Sequence, residues 1–268
     1  MHKKWQLAAV LLLIPLPLKA QEQTREFAPP IIREPGKWAV SSYYDRSTVK
    51  LRQREGNWAV LANTATYAPN DLLTAYVSAN LVDFFRNVDS AGDLGAYLKF
   101  KDAAYLRAEI GFGGDVDYIY HFQTRLEYEH RLFGKMFWQT GARYLDLTKN
   151  DVYTAYPGLI YYWGGKNYVT AFYHYVYTQD FSGAEWVSAR GNCAITKRLS
   201  VWLGAARGNR IYNIELLPSS KQQYGYLYLG GLDLKISRGV DIKLGYSYAR
   251  QKPTVTRHGI QAGVLVEF

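Results

Sequence analysis

The carboxyl-terminal decapeptide Gly259-Ile-Gln-Ala-Gly-Val-Leu-Val-Glu-Phe268 decides how the rest of the chain is read. Ile260, Ala262, Val264, Val266 and Phe268 fall on one face of an extended strand, and Gly259, Gln261, Gly263 and Glu267 on the other, because successive strand side chains point to opposite sides. One segment upstream, Val240, Ile242, Leu244, Tyr246 and Tyr248 oppose Asp241, Lys243, Gly245 and Ser247. A third segment sets Tyr224, Tyr226, Tyr228, Leu232, Leu234 and Ile236 against Gly225, Gly231, Asp233 and Lys235. Most of the chain from Lys37 onward repeats this period of two, and no segment carries a sustained helical stripe.

Fourteen strands are expected, near residues 37–46, 57–67, 72–84, 92–101, 104–112, 117–131 and 136–147, then 151–163, 167–178, 185–196, 199–209, 223–236, 239–250 and 257–268. An even count, at roughly 9–11 membrane-crossing residues per strand, is what a single-chain bacterial barrel requires. The expected fold is therefore an all-β, transmembrane, antiparallel up-and-down β-barrel of about 14 strands.

Composition narrows the field without deciding it. The chain has 268 residues, a formal net charge of +9, one cysteine and 24 tyrosines, with a mean hydropathy of −0.25. Cys193 alone excludes an internal disulfide framework. The polar average excludes a polytopic helical membrane protein, and the 48% hydrophobic content excludes disorder. A soluble β-sandwich and an outer-membrane barrel both fit.

The amino terminus points to export. Lys3 and Lys4 precede an apolar run from Leu7 to Leu18, closed by Lys19-Ala20, the layout of a cleaved signal peptide. Residues 1–20 are expected to be that signal, 21–36 a periplasmic tail rich in proline, and 37–268 the barrel.

Two patterns favour the barrel over the sandwich. Short connections such as Ala68–Asp71, Leu132–Lys135 and Ser237–Val240 alternate with ones expected to be longer, among them Asp45–Asn57, Phe85–Gly92, Gln179–Glu185, Gly208–Gln223 and Arg250–Arg257. Short periplasmic turns and longer external loops are the barrel rule. Twelve tyrosines also share the apolar phase: Tyr118, Tyr120, Tyr128, Tyr144, Tyr173, Tyr175, Tyr177, Tyr224, Tyr226, Tyr228, Tyr246 and Tyr248. All but Tyr128 belong to the external half of their strands, as an interfacial aromatic girdle requires.

In a membrane barrel the polar phase faces inward. It carries Lys99, Lys101, Arg107, Arg125, Arg143, Arg190, Lys235 and Lys243 against Asp93, Glu109, Glu127, Glu129, Asp233, Asp241 and Glu267, with His174 among them. This near balance suits either a lumen of cross-strand ion pairs or a wide wet channel in which each charge is solvated, and it argues against strong ion selectivity. Closing the barrel gathers a second group on the external rim: Arg46, Lys50, Arg52, Arg54, Arg210, Lys221, Arg250, Lys252 and Arg257. Such a patch suits lipopolysaccharide phosphates or an anionic polysaccharide.

Catalytic chemistry has little support. Outside the first 20 residues the histidines are His121, His130, His174 and His258, none closely followed by a serine, and there is no Gly-x-Ser-x-Gly elbow or metal-ligand spacing. Neither a catalytic residue nor a cofactor or metal is expected.

Thr140-Gly-Ala-Arg-Tyr144, the run Tyr168-Val-Thr-Ala-Phe-Tyr-His-Tyr-Val-Tyr177 and Arg207-Gly208 at an external strand end resemble the YaiO-type outer-membrane β-barrel family. The likeness spans about residues 37 to 268. His174 stands where that family usually has an arginine. The resemblance implies an outer-membrane location and a plausible link to envelope polysaccharide, and brings no catalytic residues. The combined expectation is a monomeric, non-enzymatic envelope protein. Its partners would be outer-membrane lipid, lipopolysaccharide, the barrel-assembly machinery through Ile260, Val264, Val266 and Phe268, and an anionic polysaccharide. Nucleic acid fits neither compartment nor fold. A small passive pore and a barrel enzyme acting on lipid A or phospholipid are the alternatives.

Overall fold

A computed structural model describes residues 35–51, 54–84, 87–100, 104–114, 119–148, 151–164, 167–178, 181–209, 224–251 and 255–268. The expected signal peptide and nearly all of the tail lie outside these residues. The described chain forms fifteen strand segments: Lys37–Leu51 (β1), Arg54–Ala68 (β2), Leu73–Phe84 (β3), Asn87–Phe100 (β4), Ala104–Gly113 (β5), Tyr120–Phe133 (β6), Met136–Leu147 (β7), Asp151–Ala155 (β8), Gly158–Gly164 (β9), Asn167–Thr178 (β10), Phe181–Ala194 (β11), Leu199–Asn209 (β12), Tyr224–Ser237 (β13), Val240–Gln251 (β14) and Val255–Glu267 (β15). Each pairs antiparallel with its neighbours, and β15 returns to pair with β1 from Glu267↔Ala39 to Val255↔Leu51.

β8 and β9 are one stave. Both pair with β7 and β10 in a register that is the same on either side of Pro157, the one shift lying at Asn167/Tyr168 beside the far end of β9, and Tyr156 continues the inward alternation between them. The interruption is Pro157, which has no N–H to give to a ladder. The fold is thus a closed barrel of 14 strands. Carrying the pairings once around returns to β1 about 14 residues from the start. With fourteen staves that stagger sets a strand tilt of roughly 35–40° and a backbone radius of roughly 12–13 Å.

The outer surface is apolar. Val77, Leu94, Ile110, Leu126, Val187, Leu203 and Ile260 are all more than 40% exposed, a skin that is stable against lipid and not against water. Trp38, Phe100, Phe133 and Trp163 project near the end that carries both termini. Toward the other end Phe112, Phe122, Tyr144, Tyr153 and Tyr177 touch in sequence across five staves, at ring separations of 5.0 to 6.3 Å. Tyr226, Tyr228, Tyr246 and Tyr248 continue the belt beside His258. Two aromatic girdles bound the apolar band, as in outer-membrane barrels.

Two expectations need correction. The connections at Asp45–Asn57, Phe85–Gly92, Gln179–Glu185 and Arg250–Arg257 are not long loops, because strands continue through most of each. Ser47, Val49 and Val255 keep burying inward there, so the ladder has reason to extend almost to the tips. The fifth, Gly208–Gln223, lies outside the described residues beyond Asn209. Tyr120 is inward, at 4% exposure, since a register shift between Tyr120 and Phe122 flips its phase. Tyr118 lies outside the described residues, and the other ten tyrosines are outward.

Candidate functional site

The interior is built by the inward phase, and its core is a quartet on β5 and β6. Arg107 and Glu109 on one strand register with Glu127 and Arg125 on the next, which sets each cation beside two carboxylates. Arg107 Nη2 lies 2.7 Å from Glu109 and Nη1 lies 3.2 Å from Glu127. Arg125 stands 3.6 Å from Glu127 and 3.9 Å from Glu109. Their side chains are only 2–10% exposed, so two cations and two anions cancel in a nearly water-free place.

Neighbouring strands close around the quartet. Tyr76 of β3 donates to Glu109 and accepts from Arg107 Nε at 2.9 Å. Tyr156 donates to Glu127 at 2.7 Å. The Arg107 guanidinium lies over the rings of Tyr76 and Tyr97. Gln123 relays the network upward: its Oε1 accepts from Arg143 at 2.8 and 3.1 Å, and its amide donates to Asp93. Asp93 also accepts from Asn80 and Tyr120. Glu129, one inward step beyond Glu127, is 4% exposed.

A second cluster sits on the seam that closes the barrel. Arg257 Nη2 donates to both oxygens of Asp45 at 3.0 and 3.1 Å, and its Nε donates to Ser47 at 2.8 Å. Gln261 donates to Asp45 at 3.0 Å, and the guanidinium covers Trp58. Arg257 is thus removed from the external patch. It occupies an odd, inward position of β15, buried at 5%, because the strand extends through the expected loop.

The lumen is less uniformly polar than the alternation of charge suggests. Val152, Val176, Trp186, Leu227 and Leu229 form one buried apolar cluster across the β8–β13 wall. Val49, Trp58, Val60, Phe84 and Val255 form another beside the seam, and Tyr156, Ile160, Tyr168 and Phe172 a third. His174 stacks on Trp186 at 4.7 Å and 11° and on Tyr156 at 5.7 Å. Its Nε2 lies 2.9 Å from Ser188 Oγ, a contact missed in the sequence because the partners are on different strands. Its Nδ1 has no hydrogen-bond partner. No acid orients the ring, and both residues are buried, so this pair lacks the third member that a nucleophilic dyad needs.

The remaining inward charges occupy a more open region near the terminal end, which barrel topology assigns to the periplasm. Lys99, Asp233, Asp241 and Lys243 are half-buried there, while Lys235 and Glu267 are exposed. Lys243 and Asp233 approach to 3.6 Å. Arg190 is buried at 7% over the Trp202 ring. Lys101 lies outside the described residues. Inward side chains are therefore packed in the middle and toward the external end, and opened toward the periplasmic end.

On the external rim Arg46 and Arg250 are outward and exposed, and Lys50 pairs with Glu55 at 3.1 Å. Arg52, Arg210, Lys221 and Lys252 lie outside the described residues, as does the side chain of Arg54. His258 is outward on β15 and shares a hydrogen bond with Tyr246 at 2.7 Å. His121 meets Thr148 in an exposed setting. At the terminal seam, Phe268 N donates to Trp38 O at 2.9 Å. Ile260 is 69% and Phe268 45% exposed, with Val264 and Val266 half-buried on the same outer face. Among the described residues no cluster of His, Cys, Asp or Glu could hold a metal ion.

A lipid-facing skin, two aromatic girdles and a closed ladder with a polar interior define an outer-membrane β-barrel. The family model described as the YaiO membrane beta barrel domain matches residues 39–193. The chain belongs to that family. No curated protein sequence matches it. Solved structures share the fold at low identity. The CymD monoaromatic hydrocarbon channel has a TM-score of 0.58 and 9% identity, over 88% of this chain and 88% of the other. A bacterial polysaccharide outer membrane secretin has 0.58 and 10%, over 85% and 98%. The Acinetobacter baumannii outer membrane protein Omp33 has 0.52 and 14%, over 85% and 97%. At such identities the likeness speaks for the fold alone.

Proposed function

We propose that this protein is a monomeric, non-enzymatic outer-membrane barrel whose lumen is closed to bulk ion flow at rest and which assists surface or exported polysaccharide. The observation that carries the closed lumen is the quartet Arg107, Glu109, Arg125 and Glu127, whose side chains are at most 10% exposed. In a wide wet channel those groups would be solvated. The polysaccharide part draws on the cationic rim at Arg46 and Arg250 and on the fold shared with a polysaccharide secretin. Export by the signal in residues 1–20, docking of lipopolysaccharide on the rim and delivery by the barrel-assembly machinery through the last strand belong to the same reading.

Planar-bilayer recording on purified protein tests it. The expected trace has no large steady conductance, and a large steady conductance in the wild type overturns the closed lumen. A passive pore is the second reading, favoured by the open periplasmic end of the interior, and the same recording decides it. Lipid A and phospholipid hydrolysis assays address the third. No turnover is expected, since His174 and Ser188 have no orienting acid.

A further inference from the structure

The overall balance of interior charge hides a local excess. On β11–β14, near the periplasmic end, residue pairing places Ser200 beside Asp233 and Asp233 beside Lys243, all three on the inward phase. The next inward pair is Lys235 with Asp241. Lys197 and Arg198, in the exposed turn before β12, line one cavity with Ser200, Asp233 and Lys235. Deeper on the same wall, Arg190 and Lys243 lie over Trp202 at 5.0 and 5.8 Å. Trp202 spreads across Gly231 and Gly245, where any Cβ would come within 2.5–2.6 Å of its ring. The two glycines clear the floor that the indole needs, and the indole holds both cations in the wall.

Each aspartate on this wall has a lysine as its cross-strand neighbour, so Arg190, Lys197 and Arg198 are the surplus. Arg190 is the informative member. It is more than nine-tenths buried, its Nε has no hydrogen-bond partner, and Trp202 supplies a π face but no acceptor. A buried guanidinium without an anion is costly, and a ligand bearing one would satisfy it with charge-assisted hydrogen bonds.

We infer that this wall is a binding site for an anionic saccharide entering from the periplasm. Lys197, Arg198 and Lys235 would meet its acidic groups at the mouth, and Lys243 and Arg190 would take one deeper in. Asp233 and Ser200 select for hydroxylation. A bare anion is repelled by a carboxylate in its site, whereas a sugar hydroxyl donates to it. The inference rests on the polysaccharide reading above and moves recognition from the external rim to the periplasmic mouth.

The test is isothermal titration of the full-length mature protein in detergent micelles at low salt. Its probes are a hexameric oligouronate, a neutral hexasaccharide and inorganic phosphate. The oligouronate is expected to bind, the neutral sugar at least about tenfold more weakly, and phosphate not to compete at equal charge concentration. Lys243→Gln and Arg190→Gln should each weaken oligouronate binding about tenfold, the loss of one charge-assisted contact. Unheated electrophoretic mobility reports folding of each variant. Lys243, at 38% side-chain exposure, is replaceable even if Arg190 is not. Equal affinity for the neutral sugar, no oligouronate binding, full competition by phosphate, or wild-type affinity in the folded Lys243→Gln variant overturns the inference. Conductance of the same preparation judges the closed lumen separately. Loss of oligouronate binding on replacing Arg46 and Arg250 instead would return recognition to the external rim and overturn the periplasmic site.

Discussion

Replacing Arg107 by methionine separates a packed interior from a wet one by magnitude. The side chain is 10% exposed and makes three short polar contacts, to Tyr76, Glu109 and Glu127. Its removal leaves two buried carboxylates with Arg125 alone, at 3.6 and 3.9 Å. Breaking one partner out of a buried charge cluster costs about 3–5 kcal/mol, whereas a solvated pair is worth about 0–1 kcal/mol. Reversible urea unfolding in detergent reads the difference. With a slope of roughly 2–3 kcal/mol per molar, the packed case lowers the midpoint by about 1–2.5 M. The double replacement Arg107→Met, Glu109→Gln leaves Arg125 paired with Glu127 at 3.6 Å and should recover much of that loss, because the cluster is neutral again. A midpoint shift below about 0.3 M for Arg107→Met alone would refute the packed interior, as would a double variant no more stable than the single.

Three further outcomes follow from the same geometry. Asp45→Asn weakens the bidentate contact to Arg257 at the β1–β15 seam; the temperature at which the folded band disappears on electrophoresis should fall, with double-variant Asp45→Asn, Arg257→Gln losing less than the sum of the singles. Cys193 is exposed on the outward phase near the periplasmic end; an impermeant maleimide should fail to label it in intact cells and label it in detergent, and labelling in intact cells would reverse the assigned orientation. Phe268 is 45% exposed, and its cross-seam hydrogen bond uses its backbone N–H. Phe268→Ala should therefore lower the amount assembled in cells while leaving refolding in detergent within about 0.5 kcal/mol of wild type. Equal losses in both would make the residue structural rather than a recognition signal.

Much of the barrel could be read from its alternation, because a lipid face and an inward face impose the same period on every stave. The phase of β13, β14 and β15 follows directly from their residues. Tyr120 and Arg257 could not be placed that way. A register shift moves one, and a hairpin that extends past its apparent turn captures the other, and both depend on partners far away in sequence. The grouping of interior charge was equally hidden. Arg107, Glu109, Arg125 and Glu127 share a phase with Arg190 and Lys243, and only cross-strand register separates a neutral quartet from a cationic wall. His174 shows the same limit: its contacts with Trp186, Tyr156 and Ser188 require three staves in register.

Pro157 makes one of the fourteen seams unequal to the rest. Tyr173 N donates to Pro157 O at 3.0 Å, but proline can return no hydrogen bond to the Tyr173 carbonyl. In hydrocarbon a missing rung is worth more than the ~0.5–1.5 kcal/mol of an ordinary hydrogen bond in water. Breathing of the wall is therefore eased between this stave and β10, and the backbone amides flanking Tyr173 should exchange with solvent deuterium ahead of amides at the same level on strands whose ladders are unbroken.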